Sequence, residues 1–142
     1  MVSAYAVIEG KEEGILFIIE GDAPYHKMVV LPGGYVKPNE TIEQTVVREV
    51  EEETGLHVAT TKFLGLYQDF LTENGDDPVN HIIAVYKVDV VGGRLIFSKE
   101  ATAYKWLTAQ EALASAELPN IFKQIIADVG KEHKRRFKIG NP

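Results

Sequence analysis

The stretch from Gly34 to Leu56 reads GYVKPNETIEQTVVREVEEETGL, and it decides how the rest of the chain is interpreted. Glu49, Glu52 and Glu53 lie three and four residues apart, so a helix would place their carboxylates on one face. Like charges this close repel one another, and a bound divalent cation would remove that repulsion. Mg²⁺ prefers oxygen ligands and is usually held by a few carboxylates together with substrate phosphates. The alternative is a solvated acidic face on an ordinary surface helix.

The acidic residues belong to a longer pattern. Gly34, Glu40 and the segments 48–50, 52–53 and 55–56 match GX5EX7REUXEEXGU, in which U is a bulky aliphatic residue. At average residue usage, a chance match in a chain this short is expected about once in ten million. The chain therefore resembles the Nudix hydrolases, and the matching stretch covers about a sixth of its length.

Local signals around this pattern predict a strand, a turn and a helix. The apolar run 28–31 predicts a short strand, and Pro32-Gly33-Gly34 predicts a tight turn after it. Thr41 with Gln44 makes a capping box, which places the start of the helix near Thr41. Gly55 is a natural residue at which the helix ends. The stripe expected to face the core is Ile42, Val46, Val47 and Val50.

Arg48 lies one helical turn before Glu52, so it can pair with that carboxylate or reach back to Glu40. One interpretation is a surface ion pair that contributes roughly 0 to 1 kcal/mol. The other is a group that fixes the orientation of a metal ligand, as metal sites commonly require. The resemblance implies this orienting role, and we favour it.

Composition limits the classes of function. A length of 142 residues predicts a single domain over residues 1–142, with 45% hydrophobic and 25% charged residues. The formal charge of −6 argues against general binding of nucleic acid and against attraction to anionic membranes. There are no cysteines, so disulfides and thiolate metal sites are excluded. The apolar run 15–19 is too short to span a bilayer, and we expect a cytoplasmic location.

The remainder of the chain reads as strands interleaved with helices. Residues 3–9 and 14–20 predict a β-hairpin, and residues 21–27 predict a loop at the rim of the site. In that loop, His26 is an exposed or substrate-contacting histidine, and Tyr25 either stacks on a base or packs into the core. Further strands are predicted at 57–71, 81–91 and 103–107, and helices from about residue 108 and from Pro119.

This order predicts an α/β fold, and the resemblance implies the Nudix-type α/β/α sandwich with a central mixed β-sheet. The stripe of the last helix is Ile121, Phe122, Ile125, Ile126 and Val129. The basic tail 131–138 is interpreted as a solvated helix end rather than a nucleic-acid patch.

The resemblance also implies a chemistry. Nudix hydrolases cleave a pyrophosphate linkage in a nucleoside diphosphate joined to a group X, and they release a nucleoside monophosphate and phosphorylated X. The expected cofactor is Mg²⁺, with Mn²⁺ as the alternative cation. The metal ligands implied by the matching positions are Glu49, Glu52 and Glu53, with Glu40 as a secondary member.

Backbone amides of Gly33 and Gly34 are expected to hold a phosphate or to shape the metal site. The catalytic residues are expected to be Glu49, Glu52 and Arg48, with Glu100 as the preferred loop carboxylate. For the general base, Glu49 is the candidate inside the helix. The loop candidates are Glu100, ranked first, then Glu73, Asp76 and Asp77.

Substrate choice depends on a weaker resemblance. The segment 76–83, DDPVNHII, is similar to the RDPRGH-like segment of some ADP-ribose pyrophosphatases, as is EATAYKWLTAQEAL at 100–113. Both arginine positions of that segment are occupied by other residues, Asp76 and Val79. The proline that marks one ADP-ribose subgroup, sixteen residues beyond the box, is replaced here by Leu71 or Thr72.

We therefore favour an ADP-ribose or nucleotide-sugar type of substrate, a small molecule. The rival is a nucleoside triphosphate such as oxidised dGTP, and a non-catalytic nucleotide-binding module is a third class. An isoprenoid diphosphate isomerase would need a nucleophilic cysteine that this chain lacks. The resemblance also makes a homodimer a reasonable expectation.

Overall fold

Two β-sheets and three α-helices form the framework of the protein. The computed structural model describes residues 1–20, 25, 27–72, 77–96 and 101–140, with the backbone alone at 101–102 and 133–140. The strands are β1 (Val2–Ile8), β2 (Ile15–Glu20), β3 (Val29–Val30), β4 (Gly33–Tyr35), β5 (Leu56–Leu71), β6 (Val79–Gly93) and β7 (Ala101–Leu107). The helices are α1 (Ile42–Thr54), α2 (Ala109–Leu113) and α3 (Asn120–Gly140), with a short 3-10 turn at Lys11–Glu13.

The larger sheet is mixed and has the strand order β4-β1-β6-β5. Its two middle strands, β1 and β6, run parallel, whereas both outer pairs are antiparallel. The smaller sheet is antiparallel, with the order β3-β2-β7. The interior position of β6 confirms the central strand that its apolar start predicted, and the strand ends at Gly92-Gly93 as expected.

The predicted hairpin between β1 and β2 is wrong. The two strands belong to different sheets, and among the described residues their pairing is limited to one bridge between Glu9 and Ile15, next to a 2.8 Å bond from the N–H of Gly10 to the carbonyl of Gly14. Both strands carry consecutive buried residues, Ser3 to Ile8 in β1 and Ile15 to Ile18 in β2, rather than an alternating pattern. A strand buried on both faces is favoured at the interior of a sheet, so each of the two lies at the centre of its own sheet.

The helices cover both faces of the larger sheet. Val46 and Val50 of α1 are fully buried against a cluster on one face, which includes Ala4, Ala6 and Ile8. Phe122, Ile125 and Ile126 of α3 pack on the opposite face with residues such as Tyr5, Val7 and Ile83. The expected α/β/α sandwich around a mixed sheet is therefore confirmed, together with the apolar stripe of α3. In the described ranges of the chain, no helix is long and apolar enough to cross a membrane.

The predicted turn at Pro32-Gly33-Gly34 is only partly present. Gly33 and Gly34 begin β4 and pair with Tyr5 and Ala4 of β1. The chain still bends at Pro32, whose carbonyl accepts a 2.8 Å hydrogen bond from the N–H of Ala6. The two glycines allow β4 to lie unusually close to its neighbours, because a Cβ on Gly33 would lie 2.2 Å from the carbonyl oxygen of Ala4.

Candidate active site

The site helix, α1, begins and ends where its local sequence predicts. The Thr41 hydroxyl accepts from the N–H of Gln44 at 3.1 Å, and the Gln44 side chain accepts from the N–H of Thr41 at 2.9 Å. At the other end Gly55 adopts the left-handed conformation with φ 80°, and its N–H donates to the carbonyl of Glu51. The acidic residues therefore sit on a well-capped and well-packed element.

Arg48 gathers three carboxylates around one guanidinium. Its Nε donates to Glu40 Oε2 at 2.7 Å, and Nη1 donates to Glu49 Oε1 at 2.9 Å and to Glu52 Oε2 at 3.1 Å. Two further bonds run from Nη2, to Glu40 Oε1 at 3.0 Å and to the main-chain carbonyl of Tyr35 at 3.2 Å. Both partners considered from the sequence, Glu52 and Glu40, are thus engaged at once. With three negative charges on one positive charge, the group keeps an excess of two negative charges.

Glu40 accepts hydrogen bonds at both of its carboxylate oxygens. Besides the bonds from Arg48, its Oε1 accepts from the Thr45 hydroxyl at 2.6 Å and from the N–H of Lys37 at 3.1 Å. Hydrogen bonds from Arg48, then from Thr45, lower the pKa of Glu40 to about 2. In return, the hydrogen bond to Glu40, followed by the one to Glu49, raises the pKa of Arg48 above its ordinary value. Glu40 therefore joins the entrance of α1 to Arg48, and its oxygens are already occupied by protein donors.

Glu53 is the buried member of the acidic set, at 2% exposure. Its Oε1 accepts a 2.7 Å hydrogen bond from the N–H of Gly33, the first residue of β4. Next to it, a Cβ on Gly34 would lie 2.6 Å from Oε1 of Glu49. The two glycines thus shape the site, one by donating to a carboxylate and the other by leaving room for a second carboxylate.

The acidic set suits a hard divalent cation by its chemistry. Every donor is a carboxylate oxygen, the ligand type that Mg²⁺ and Mn²⁺ prefer. The space left by Gly34 is filled by the Glu49 carboxylate, and Glu52 is 40% exposed at its side chain, so it can be reached from solvent. As the side chains stand, no three acidic or histidine groups in the described segments converge into a ready-made metal centre. Metal binding by Glu49, Glu52 and Glu53 therefore stays a prediction.

An open cleft of about 1110 Å³ borders the acidic cluster and is lined by α1, by the segment that precedes it and by β5. Glu40, Arg48 and Glu52 line it, together with Lys37 and Val47. Small molecules can therefore approach the charged end of the site from solvent.

The remaining sequence candidates have different outcomes. Glu100, Glu73, Asp76 and His26 lie outside the described residues, whereas Asp77 is described and exposed. Tyr25 is packed rather than available for base stacking, since it is 5% exposed and meets the Phe122 ring edge-on at 5.4 Å between ring centroids.

Two residues near the site were missed by the sequence reasoning. Tyr104 of β7 donates from its hydroxyl to the main-chain carbonyl of Glu53 at 3.1 Å. His81 of β6 is fully buried, and its Nε2 lies 2.6 Å from the Ser3 hydroxyl. Within the described part of the chain, Nδ1 of His81 has no hydrogen-bond partner. Burial lowers the pKa of His81 below 6.5. Neither contact has a local signal, because each joins residues that are far apart in the sequence.

Comparison with known proteins gives a consistent result. The NUDIX domain family matches residues 1–129. An ADP-ribose pyrophosphatase of Methanocaldococcus jannaschii is 40% identical over 95 residues, which are 66% of this chain and 53% of that protein. A Bacillus subtilis protein named as a candidate 8-oxo-dGTP diphosphatase is 37% identical over 65 residues, 46% of this chain and 42% of that protein.

The chain therefore spans about half the length of the curated relatives it matches. Among solved structures, the MutT protein from Methanosarcina mazei Go1 superposes with a TM-score of 0.82 and 28% identity. That superposition covers 94% of this chain and 95% of the other.

Proposed function

The chain belongs to the Nudix family, and from that premise we propose that it is a Mg²⁺-dependent pyrophosphohydrolase. Its substrate would be a nucleoside diphosphate joined to a group X, and its products a nucleoside monophosphate and phosphorylated X. The observation that carries the proposal is the grouping of Glu40, Glu49 and Glu52 around Arg48, beside the buried carboxylate of Glu53.

The residues have distinct roles in this proposal. Glu49, Glu52 and Glu53 would hold Mg²⁺, or Mn²⁺ in its place, while Glu40 keeps Arg48 in position through its own hydrogen bonds. Arg48 orients Glu49 and Glu52 and limits their mutual repulsion, at distances of 2.9 and 3.1 Å. When bound, the cation would neutralise phosphate charge and acidify the attacking water.

The general base is assigned in this proposal to Glu49 or Glu100. Glu49 is half-buried and lies against β4, where Gly34 leaves space for its carboxylate. Glu100 immediately precedes β7 in the sequence and remains the preferred loop carboxylate. Comparing the pH profiles of kcat for Glu49→Gln and Glu100→Gln distinguishes them, because only loss of the base removes the acidic limb.

We propose an ADP-ribose or nucleotide-sugar type of substrate. The relative named ADP-ribose pyrophosphatase supports this choice, as does the DDPVNH segment at 76–81. The second candidate is a nucleoside triphosphate such as 8-oxo-dGTP, which is favoured by the Bacillus subtilis relative.

A substrate screen tests the proposal. Purified protein is incubated with ADP-ribose, nucleotide sugars, dinucleoside polyphosphates, and normal and oxidised nucleoside triphosphates, with Mg²⁺ or with a chelator. Products are separated by chromatography, and Glu52→Gln serves as the inactive control. Dominant release of AMP and ribose phosphate supports the first candidate, and dominant triphosphate cleavage supports the second. If no substrate of the panel is cleaved by folded protein that binds a cation, the proposed catalytic function is contradicted and a nucleotide-binding module is favoured.

Four further expectations remain predictions. They are a small-molecule partner rather than nucleic acid or a membrane, a single domain over residues 1–142, a homodimer, and a cytoplasmic location.

A further inference from the structure

The last turn of α1 has main-chain carbonyls that receive no hydrogen bond from within the helix and need other donors, as every helix end does. The Glu51 carbonyl accepts from the N–H of Gly55, and the Thr54 carbonyl accepts from the N–H of Ile96, both at 2.9 Å. The carbonyl of Glu53, which lies between them, accepts from the Tyr104 hydroxyl at 3.1 Å. Of these three hydrogen bonds, the one from Tyr104 comes from a side chain and the other two come from main-chain N–H groups.

Tyr104 is itself firmly held. Its strand, β7, pairs it with Ile18 at the centre of the smaller sheet. Its ring packs against both hydrophobic clusters, the one beneath α1 and the one beneath α3. The strand pairing and the packed ring therefore hold the Tyr104 hydroxyl beside the end of α1.

Glu53 is consequently held at two points. Its carboxylate accepts from Gly33 on the larger sheet, and its carbonyl accepts from Tyr104 on the smaller sheet. Metal ligands must be kept within about 0.5 Å of their productive positions, and the groups that hold them do this through hydrogen bonds. A donor on the carbonyl of a ligand residue restrains the helical turn from which the side chain projects.

We propose that Tyr104 is a positioning residue of the cation site, whose hydroxyl fixes the last turn of α1 and thereby the carboxylates of Glu52 and Glu53. This inference rests on the proposed function, since it takes these glutamates as cation ligands. Tyr104 touches neither the substrate nor the cation in this role. It acts only through the main chain of Glu53.

The test compares Tyr104→Phe with Tyr86→Phe in the full chain. The first change removes the hydroxyl and keeps the packed ring. Tyr86 is a matched control, because it is also partly buried against the cluster beneath α1 and pairs with the Phe63 ring at 5.3 Å. Equilibrium Mn²⁺ binding is measured by the paramagnetic resonance signal of the free ion, without substrate. The Mg²⁺ dependence of kcat is measured separately.

We expect Tyr104→Phe to weaken Mn²⁺ binding about tenfold and to raise the Mg²⁺ concentration for half-maximal rate by a similar factor. Excess Mg²⁺ should restore most of kcat, whereas a purely structural defect would not respond to the ion. Tyr86→Phe should bind Mn²⁺ like the unaltered protein. Equal Mn²⁺ affinity in Tyr104→Phe and the unaltered protein would overturn the inference.

The two proposals fail in different ways. Mn²⁺ binding that depends on Tyr104, without turnover of any pyrophosphate, would contradict the proposed function and support the positioning role. Turnover of a pyrophosphate together with unchanged Mn²⁺ affinity in Tyr104→Phe would support the proposed function and contradict the positioning role. Absence of any Mn²⁺ binding by the unaltered protein would overturn both.

Discussion

The N–H of Gly33 donates a 2.7 Å hydrogen bond to Oε1 of Glu53, and this bond connects the first residue of β4 to the last turn of α1. A carboxylate that is 2% exposed needs such a donor, because burial of an unpaired charge is costly. The bond explains how an acidic residue is tolerated inside the fold, and it places one member of the acidic set against the glycine-rich strand.

Glu53→Gln should lower turnover by orders of magnitude while leaving the fold intact. The amide oxygen can still accept from Gly33, but the loss of negative charge weakens cation binding, so we expect kcat/KM to fall about a hundredfold or more. Steady-state rates and thermal melting are the measurements. Glu51→Gln is the control on the same helix, since the Glu51 side chain is 55% exposed and its one ionic contact within the described residues is with His57. Full Mg²⁺-dependent activity in both Glu53→Gln and Glu52→Gln would show that the assigned site is wrong.

Gly34→Ala should damage the site more than the fold. The new Cβ would lie 2.6 Å from Oε1 of Glu49, so that carboxylate must move. A flexible side-chain end can shift cheaply, and we therefore expect at least about a tenfold loss of kcat with a melting temperature changed by only a few degrees. Gly92→Ala is the matched control, because its Cβ would meet only the His57 side chain at an ordinary 3.6 Å. Equal activity in the two variants would contradict the account of Gly34.

Arg48→Lys should not be a conservative change. A lysine carries the charge but lacks the planar fork that donates to Glu40, Glu49 and Glu52 together. We expect a loss of about 10- to 100-fold in kcat/KM and a higher Mg²⁺ requirement, since the carboxylates lose their common donor. Kinetic titration with Mg²⁺ measures both effects. Unaltered kinetics in Arg48→Lys would contradict the orienting role and show that Arg48 makes only a surface ion pair.

His81 should make stability depend on pH in the acidic range. Burial holds its pKa below 6.5 in the folded chain, so on acidification the unfolded chain takes up a proton first. Its contribution is therefore fully present above about pH 6.5 and decreases as the pH falls, by at most about 1.4 kcal/mol per pH unit. Urea unfolding at pH 7.5 and 5.5 should show a smaller difference for His81→Asn than for the unaltered protein. His57→Asn, at a side chain that is 54% exposed, is the control; identical differences in all three proteins would refute the prediction.

The parts of the structure that could be predicted from the sequence depend on short-range signals. Thr41 and Gln44 cap α1 because their side chains reach each other's main chain within one turn. Gly55 ends the helix because it tolerates a positive φ. Arg48 and Glu52 are one turn apart, so their contact follows from helical geometry alone.

The parts that could not be predicted depend on long-range packing. The assignment of β1 and β2 to different sheets needs the partner strands β6 and β7, which come much later in the chain. Likewise the bond from Tyr104 to Glu53 joins residues 51 positions apart, and the burial of Glu53 follows from the position of β4. The motif identified the acidic residues, but only the tertiary structure separates the buried Glu53 from the exposed Glu52.

The double attachment of Glu53 has a consequence for how the protein loses its activity on heating. Its side chain is bonded to β4 of the larger sheet and its carbonyl to β7 of the smaller sheet, so the end of α1 is hydrogen-bonded to both sheets. Separation of the sheets would break the site, and local opening of the site would loosen the sheets. Thermal inactivation and global melting should therefore share one midpoint, with no inactive but folded species between them.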